Sequence, residues 1–304
     1  MKTSGDTIKL GGRIGLILAM LVITSTFCSP PGRKSGQPPA DPPGSFIPDD
    51  SVKQLSQEMD RKYFPVFMLT LEKTKKGDYD FLEEYYEDSV LYPPVSGKKA
   101  IRIDTLRPVI DFYFIKGAGS VKDIISSRDK YKIDFPVDWK ADPEKDRSWQ
   151  LQFKSLRWIK YFIETDDPDT VLTGVKIIQD FIMNNLSNPP KNGEFVFDDM
   201  AIGFRLNTFI YALNKYLSMD ISDSMFHKQL LSGILMNISF MSSLQNYKNW
   251  HNHGIYTDQA LMDAMNRLDG FLPEKEIMNL AILRASEQFR YCYRHSVYAC
   301  IFSE

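Results

Sequence analysis

Apolar positions recur with helical spacing over most of the chain after residue 50. The clearest run begins at Val171, where apolar residues recur three and four positions apart as far as Ile182, before a proline pair at 189–190. Five further segments share this spacing, and their apolar positions begin at Leu151, Ile202, Phe226, Leu261 and Ile277. No segment after residue 130 alternates apolar and polar residues as a half-buried strand does. The pattern therefore predicts an all-α protein.

Several predicted helices carry apolar residues over a broad arc. Phe204 and Phe209 lie on the same helix as Ile202 and Leu206, so neighbours must cover more than one face of that helix. Successive helical hairpins of this kind form either a superhelical array or a closed ring of paired helices. Because no sequence period repeats along the chain, the pattern favours the ring.

The first 28 residues have the layout of a secretory signal peptide. A basic start precedes an apolar run over 14–23, which is shorter than the roughly 20 residues that span a bilayer. Cys28 is a candidate lipid-attachment site, although Phe27 stands where lipoprotein signals usually have a small residue. Residues 29–49 are rich in Pro, Gly and Ser, which predicts a linker. We therefore expect an exported, periplasmic protein that contacts the membrane only through its signal peptide or a lipid anchor.

Charge and cysteine content exclude several classes of function. The formal net charge of −2 gives no basic excess, so nucleic acid is not an expected partner. The cysteines form no close pair of the kind that binds zinc or exchanges disulfides; they are Cys28, Cys292 and Cys300. His251 and His253 have the His-x-His spacing of some metal sites, but two ligands are too few. We therefore predict no metal and no other cofactor.

Three segments occur along the chain in the same order as in a known family of proteins. The first is a tryptophan-rich strip at 138–158, and the second is Asp198-Asp199-Met200-Ala201 with Arg205. The third is Asn249-Trp250-His251-Asn252-His253-Gly254. Together they resemble the N-terminal helical domain of the heparinase II/III-type polysaccharide lyases, over residues 50–290. The resemblance implies an incomplete (α/α) toroid of helical hairpins and β-elimination on uronic-acid-containing glycans.

The resemblance also implies roles for individual residues. In those lyases an Asn-His-Gly element lies at the mouth of the substrate cleft, so Asn252 and His253 are the expected catalytic residues. An amide or a protonated imidazole can donate to the uronate carboxylate and stabilise the charge that develops when the neighbouring carbon loses its proton. Gly254 would let the backbone turn tightly there. The expected substrate contacts are Trp250, His251, Arg205 and Asp199.

Structural roles stay open for the same positions. Asn252 and His253 also fit a helix cap and a surface imidazole. Asp199 and Arg205 are six positions apart, off a clean shared helix face, so an ion pair or a cap would explain them as well. The first segment's tryptophans are expected in the core; they are Trp139, Trp149 and Trp158.

The chain departs from the family after residue 290. The family places a catalytic tyrosine and a supporting β-sandwich domain further along, whereas residues 291–304 form an atypical tail. We therefore expect a truncated or frame-shifted lyase fragment that lacks the sandwich domain, has little or no activity and binds acidic polysaccharide. The alternative is a non-catalytic exported helical module that binds acidic glycan or a protein partner. Whether the chain is an enzyme stays open at this point.

Overall fold

A computed structural model describes residues 50–93, 110–113, 130–133, 136–143, 145, 147–165, 167–186, 196–219, 224–248 and 252–301. All of these belong to one unit that spans residues 47–304. The predicted signal peptide and linker lie outside the described residues, as do Cys28, Trp250 and His251.

Helices form most of this part of the chain and confirm the predicted all-α class. The α-helices are α1 (Asp50–Lys76), α2 (Asp88–Leu91), α3 (Arg147–Lys154), α4 (Lys160–Ile163), α5 (Pro168–Phe181), α6 (Asp199–Ser218), α7 (Ser224–Ser242), α8 (Asn252–Met265) and α9 (Glu274–Ile301). Short 3-10 turns occur at Asp80–Glu84, Arg157–Ile159 and Leu244–Asn246, and a π-helical turn at Ile182–Leu186 follows α5. None of the described helices has the length and apolar character needed to cross a membrane.

A short β-ladder, which the sequence analysis did not predict, precedes α3. Strand β1 (Ile110–Tyr113) pairs antiparallel with β2 (Lys130–Ile133), so that Ile110 lies opposite Ile133 and Phe112 opposite Tyr131. Strands of four residues are too short for an alternating pattern to stand out from the surrounding sequence.

Helix α7 is buried on all sides and forms the centre of the core. Leu230, Ile234 and Ile238 are fully buried on it, and α1 and α6 pack along its length. Two of its buried hydroxyls are satisfied within the helix, because Ser232 and Ser239 donate to carbonyls of the same helix. A helix that is apolar over most of its circumference requires such enclosure.

The long helices neighbour one another in a defined order that positions the site. Helix α1 packs on α7, α7 on α6, α6 on α8, and α8 on α9, and α9 in turn contacts α1. The N-terminal ends of α6 and α8, which carry two of the segments singled out in the sequence, therefore belong to adjacent helices.

The tryptophan-rich strip is part of the core, as predicted. Trp139, Trp149 and Trp158 are each at most 4% exposed. Trp139 and Trp149 pack against the ring of Phe153 with centroid distances of 5.0 and 4.7 Å. The Trp158 indole donates to the Phe153 carbonyl over 3.1 Å. These residues serve the fold rather than a sugar-binding surface.

Candidate functional site

The N-terminus of α6 carries two consecutive aspartates with different structural roles. Asp198 is the N-cap, and its carboxylate accepts from the backbone N–H groups of Met200 and Ala201. Asp199 is the first helical residue, and its Oδ1 accepts from the Met200 N–H over 2.9 Å. The positive end of the helix dipole favours a carboxylate at this position.

The Asp199 side chain binds two residues that are distant from it in sequence. His253, in the first turn of α8, places Nδ1 at 3.0 Å from Oδ1 and 3.1 Å from Oδ2 of Asp199. Lys248, in the loop before α8, places Nζ at 3.1 Å from Asp199 Oδ2. The structure thus brings together two predicted site residues, Asp199 and His253, and adds Lys248 to them.

The environment of Asp199 keeps it ionised. The residue is 5% exposed, and burial by itself would raise the pKa of its carboxyl group. The hydrogen bond from Lys248, the charges of His253 and Lys248, and the Met200 N–H outweigh burial, so the pKa of Asp199 is lowered. An ionised Asp199 requires a donor at His253 Nδ1, which fixes the orientation of the imidazole ring.

A pocket of about 140 Å³ opens between α6 and α8 beside this cluster. Asp199 lies at one end, and the other walls include Met200, Phe204, Asn207, Tyr256, Gln259 and Asp263. The helices approach closely at its floor, where Gly203 faces Ala260. Tyr256 is 40% exposed. Oδ1 of Asn207 is buried without a hydrogen-bond partner among the described residues.

A buried polar network supports the loop that carries Lys248. The Tyr247 hydroxyl donates to Asp258 Oδ2 over 2.6 Å, and the Gln288 amide donates to both the Tyr247 hydroxyl and the Lys248 carbonyl. Arg284 lies 3.5 Å above the centre of the Tyr247 ring, with its Nε 3.3 Å from Asp258 Oδ1. The network ties α8 and α9 to the backbone of Lys248.

Gly254 is required by close approach rather than by a left-handed backbone. A β-carbon at this position would stand 2.4 Å from the Lys248 carbonyl oxygen and 2.3 Å from the Gln288 amide nitrogen. No side chain fits between α8 and the loop without moving backbone.

We expect Gly254→Ala to lower the free energy of unfolding by about 1–3 kcal/mol, because the new methyl group displaces the Lys248 carbonyl. Gly203→Ala is the matched control, since its methyl group would meet the Ala260 side chain at 3.1 Å rather than a backbone atom. Urea denaturation measures both variants. If Gly254→Ala lowered the free energy of unfolding by less than about 0.5 kcal/mol, the backbone around Lys248 would be able to move aside for the new methyl group.

Arg205, predicted as a substrate contact, lies in the core instead. It is fully buried, and its guanidinium donates to the carbonyls of Lys154 and Val196 and to Asn237 Oδ1. The ring of Phe181 covers it at 4.9 Å. A side chain held in this way does not reach the pocket, so its role is structural.

The remaining predicted site residues lie wholly or partly outside the described residues. Asn252 is the first residue of α8, and its side chain lies outside the described part, as do Trp250 and His251.

His227 is a core residue that contacts the Val90 carbonyl through Nε2, and burial lowers its pKa. The described residues contain no group of three metal-ligating side chains.

No known family model, curated protein or solved structure shows a significant match to this chain.

Proposed function

We propose that this protein is polysaccharide lyase-like and binds uronic-acid-containing glycans in the pocket between α6 and α8. The observation that carries the proposal is the contact of His253 and Lys248 with Asp199, which lines that pocket. The Lys248 side chain is half exposed, and its ammonium group has three donors, of which Asp199 accepts one. A uronate carboxylate at the pocket edge would receive a charge-assisted hydrogen bond from it.

His253 would act on the same carboxylate. In β-elimination the proton leaves the carbon beside the uronate carboxylate, and neutralising that carboxylate makes the proton easier to remove. Because Asp199 holds Nδ1, this role falls to Nε2 of the ring, whose orientation Asp199 sets. In this proposal Asp199 is a positioning residue rather than a substrate contact, and Asn252 is a second donor to the carboxylate.

The remaining parts of the proposal follow from the resemblance. They are an (α/α) toroid, sugar contacts by Trp250 and His251, and export to the periplasm. The order in which α1, α7, α6, α8 and α9 neighbour one another supports a ring-like arrangement.

Titration calorimetry with alginate and heparan sulfate oligosaccharides tests the proposal. We expect the wild-type protein to bind at least one of them, and His253→Ala and Lys248→Met to bind about tenfold more weakly, as for the loss of a charged hydrogen bond. Lys75→Met is the control, since Lys75 is an exposed residue of α1 and does not line the pocket. Absence of binding to every uronate polymer would overturn the proposal.

An assay of the unsaturated sugar product on the same protein samples distinguishes catalysis from binding. An increase in the absorbance of the unsaturated sugar product that His253→Ala abolishes would support a complete lyase site within this chain. Binding without product would favour the non-catalytic module that the sequence analysis left open.

A further inference from the structure

A second group of basic side chains lies near Asp263, which follows His253 by ten positions on α8. Asp263 lines the pocket, and its carboxylate is close enough to Arg267 and Lys160 for both cations to lower its pKa, against a larger opposing effect of burial. Lys160 in turn is within electrostatic range of Arg157 and Arg267. Three cations from two parts of the chain therefore lie around two pocket residues, Asp263 and Phe204.

Two of these cations follow a residue with an unusual backbone conformation. Leu156 is fully buried in the left-handed region at φ 54°, which is uncommon for leucine and costs conformational energy. It turns the chain into the 3-10 segment Arg157–Ile159, after which Lys160 begins α4. The Arg157 guanidinium then lies 4.8 Å from the centre of the Phe204 ring, which lines the pocket.

The group has more positive than negative charge. None of the three cations forms a salt bridge with a carboxylate in the described part of the chain. They are Arg157, Lys160 and Arg267. The carboxylates within electrostatic range of Lys160 there are Glu164 and Asp263. Burial, followed by the charges of Arg157 and Arg267, lowers the pKa of Lys160. Folding thus gathers cations that repel one another, and a bound anion would relieve that repulsion.

We propose that Arg157, Lys160 and Arg267 form a second anion subsite, which binds a carboxylate or sulfate of the same glycan chain whose uronate lies at His253. This inference rests on the proposed function and deepens it. His253 and Asp263 are ten positions apart on α8, a distance of about 15 Å along the helix axis. The pocket would therefore select an oligosaccharide with at least two separated acidic groups over a single uronate.

Oligosaccharide length gives the first test. We expect the double variant Lys160→Met/Arg267→Met to bind a uronate hexasaccharide about tenfold more weakly than the wild type, as for the loss of two charge contacts that are at least partly exposed, and to bind a disaccharide equally well. The control Lys75→Met should bind both as the wild type does. An equal loss for both lengths, or no loss for either, would overturn the second subsite.

Inorganic sulfate gives a second test that needs no glycan. At matched ionic strength, sodium sulfate should raise the melting temperature of the wild type further above its value in sodium chloride than that of the double variant. Without ligand, the double variant should melt at the same or a higher temperature, because repulsion is removed. A lower melting temperature would assign these cations to the fold and overturn the inference. A sulfate effect without any glycan binding would retain the anion subsite but overturn the proposed function.

Discussion

Replacing Arg205 with alanine should lower the free energy of unfolding by about 3–5 kcal/mol, the largest effect expected of a single substitution in this protein. The side chain is fully buried and binds two backbone carbonyls and the Asn237 amide oxygen. Alanine leaves those three acceptors without a donor and opens a cavity beneath Phe181. Burial lowers the pKa of Arg205 to about 9, which still leaves the guanidinium charged at neutral pH.

Chemical denaturation at neutral pH measures this loss. Arg61→Ala is the matched control, because Arg61 is an exposed arginine of α1; we expect it to change the free energy of unfolding by less than about 0.5 kcal/mol. If the Arg205 variant were as stable as the Arg61 variant, the core role assigned to Arg205 would be wrong and its prediction as a substrate contact would need to be reopened.

The second large effect is a pH dependence of stability that originates at Asp258. Burial raises the pKa of this carboxyl group from 3.8 to about 7, against the opposing effects of Arg284 and of the Tyr247 hydrogen bond. The folded state therefore holds a proton that the unfolded state releases above about pH 4. Asp258 contributes most to stability below its unfolded pKa, and this contribution falls as pH rises to about 7. The shift corresponds to about 4 kcal/mol over that range.

Unfolding free energies at several pH values between about 4 and 8 test this dependence against Asp258→Asn. Asparagine does not titrate, so the difference in stability between wild type and variant should change by several kcal/mol across the range, in favour of the wild type at low pH. Asp169→Asn, at an exposed position of α5, controls for general charge effects. A constant difference between wild type and Asp258→Asn would mean that Asp258 stays ionised in the folded protein.

The sequence predicted the helical body well because its helices are long and strongly apolar. Helix α7, for example, is apolar on nearly every side, and that property alone requires burial. The ladder of β1 and β2 escaped prediction because its stability comes from pairing between segments twenty residues apart, which no local pattern records.

The candidate site was predictable in its residue types but not in its geometry. Asp199 and His253 are 54 residues apart, and only the packing of α6 on α8 brings them into contact. Arg205 was assigned to the substrate through the resemblance alone. It follows Asp199 by six positions, which at about 100° per residue turns it away from Asp199, and it lies in the core. Lys248 lies in a loop with no pattern of its own, and its position depends on Tyr247 and Gln288.

The most direct measurement of the central claim compares a uronate disaccharide, which is too short to reach the second anion subsite, with its carboxyl-reduced, neutral counterpart by titration calorimetry. If His253 and Lys248 receive the uronate carboxylate, the wild type should bind the acidic form at least about tenfold more tightly than the neutral form. His253→Ala/Lys248→Met should bind both forms with the same, weaker affinity. Equal affinities in the wild type, or a preference for the acidic form that persists in the double variant, would contradict the assignment of this pocket to uronic-acid recognition.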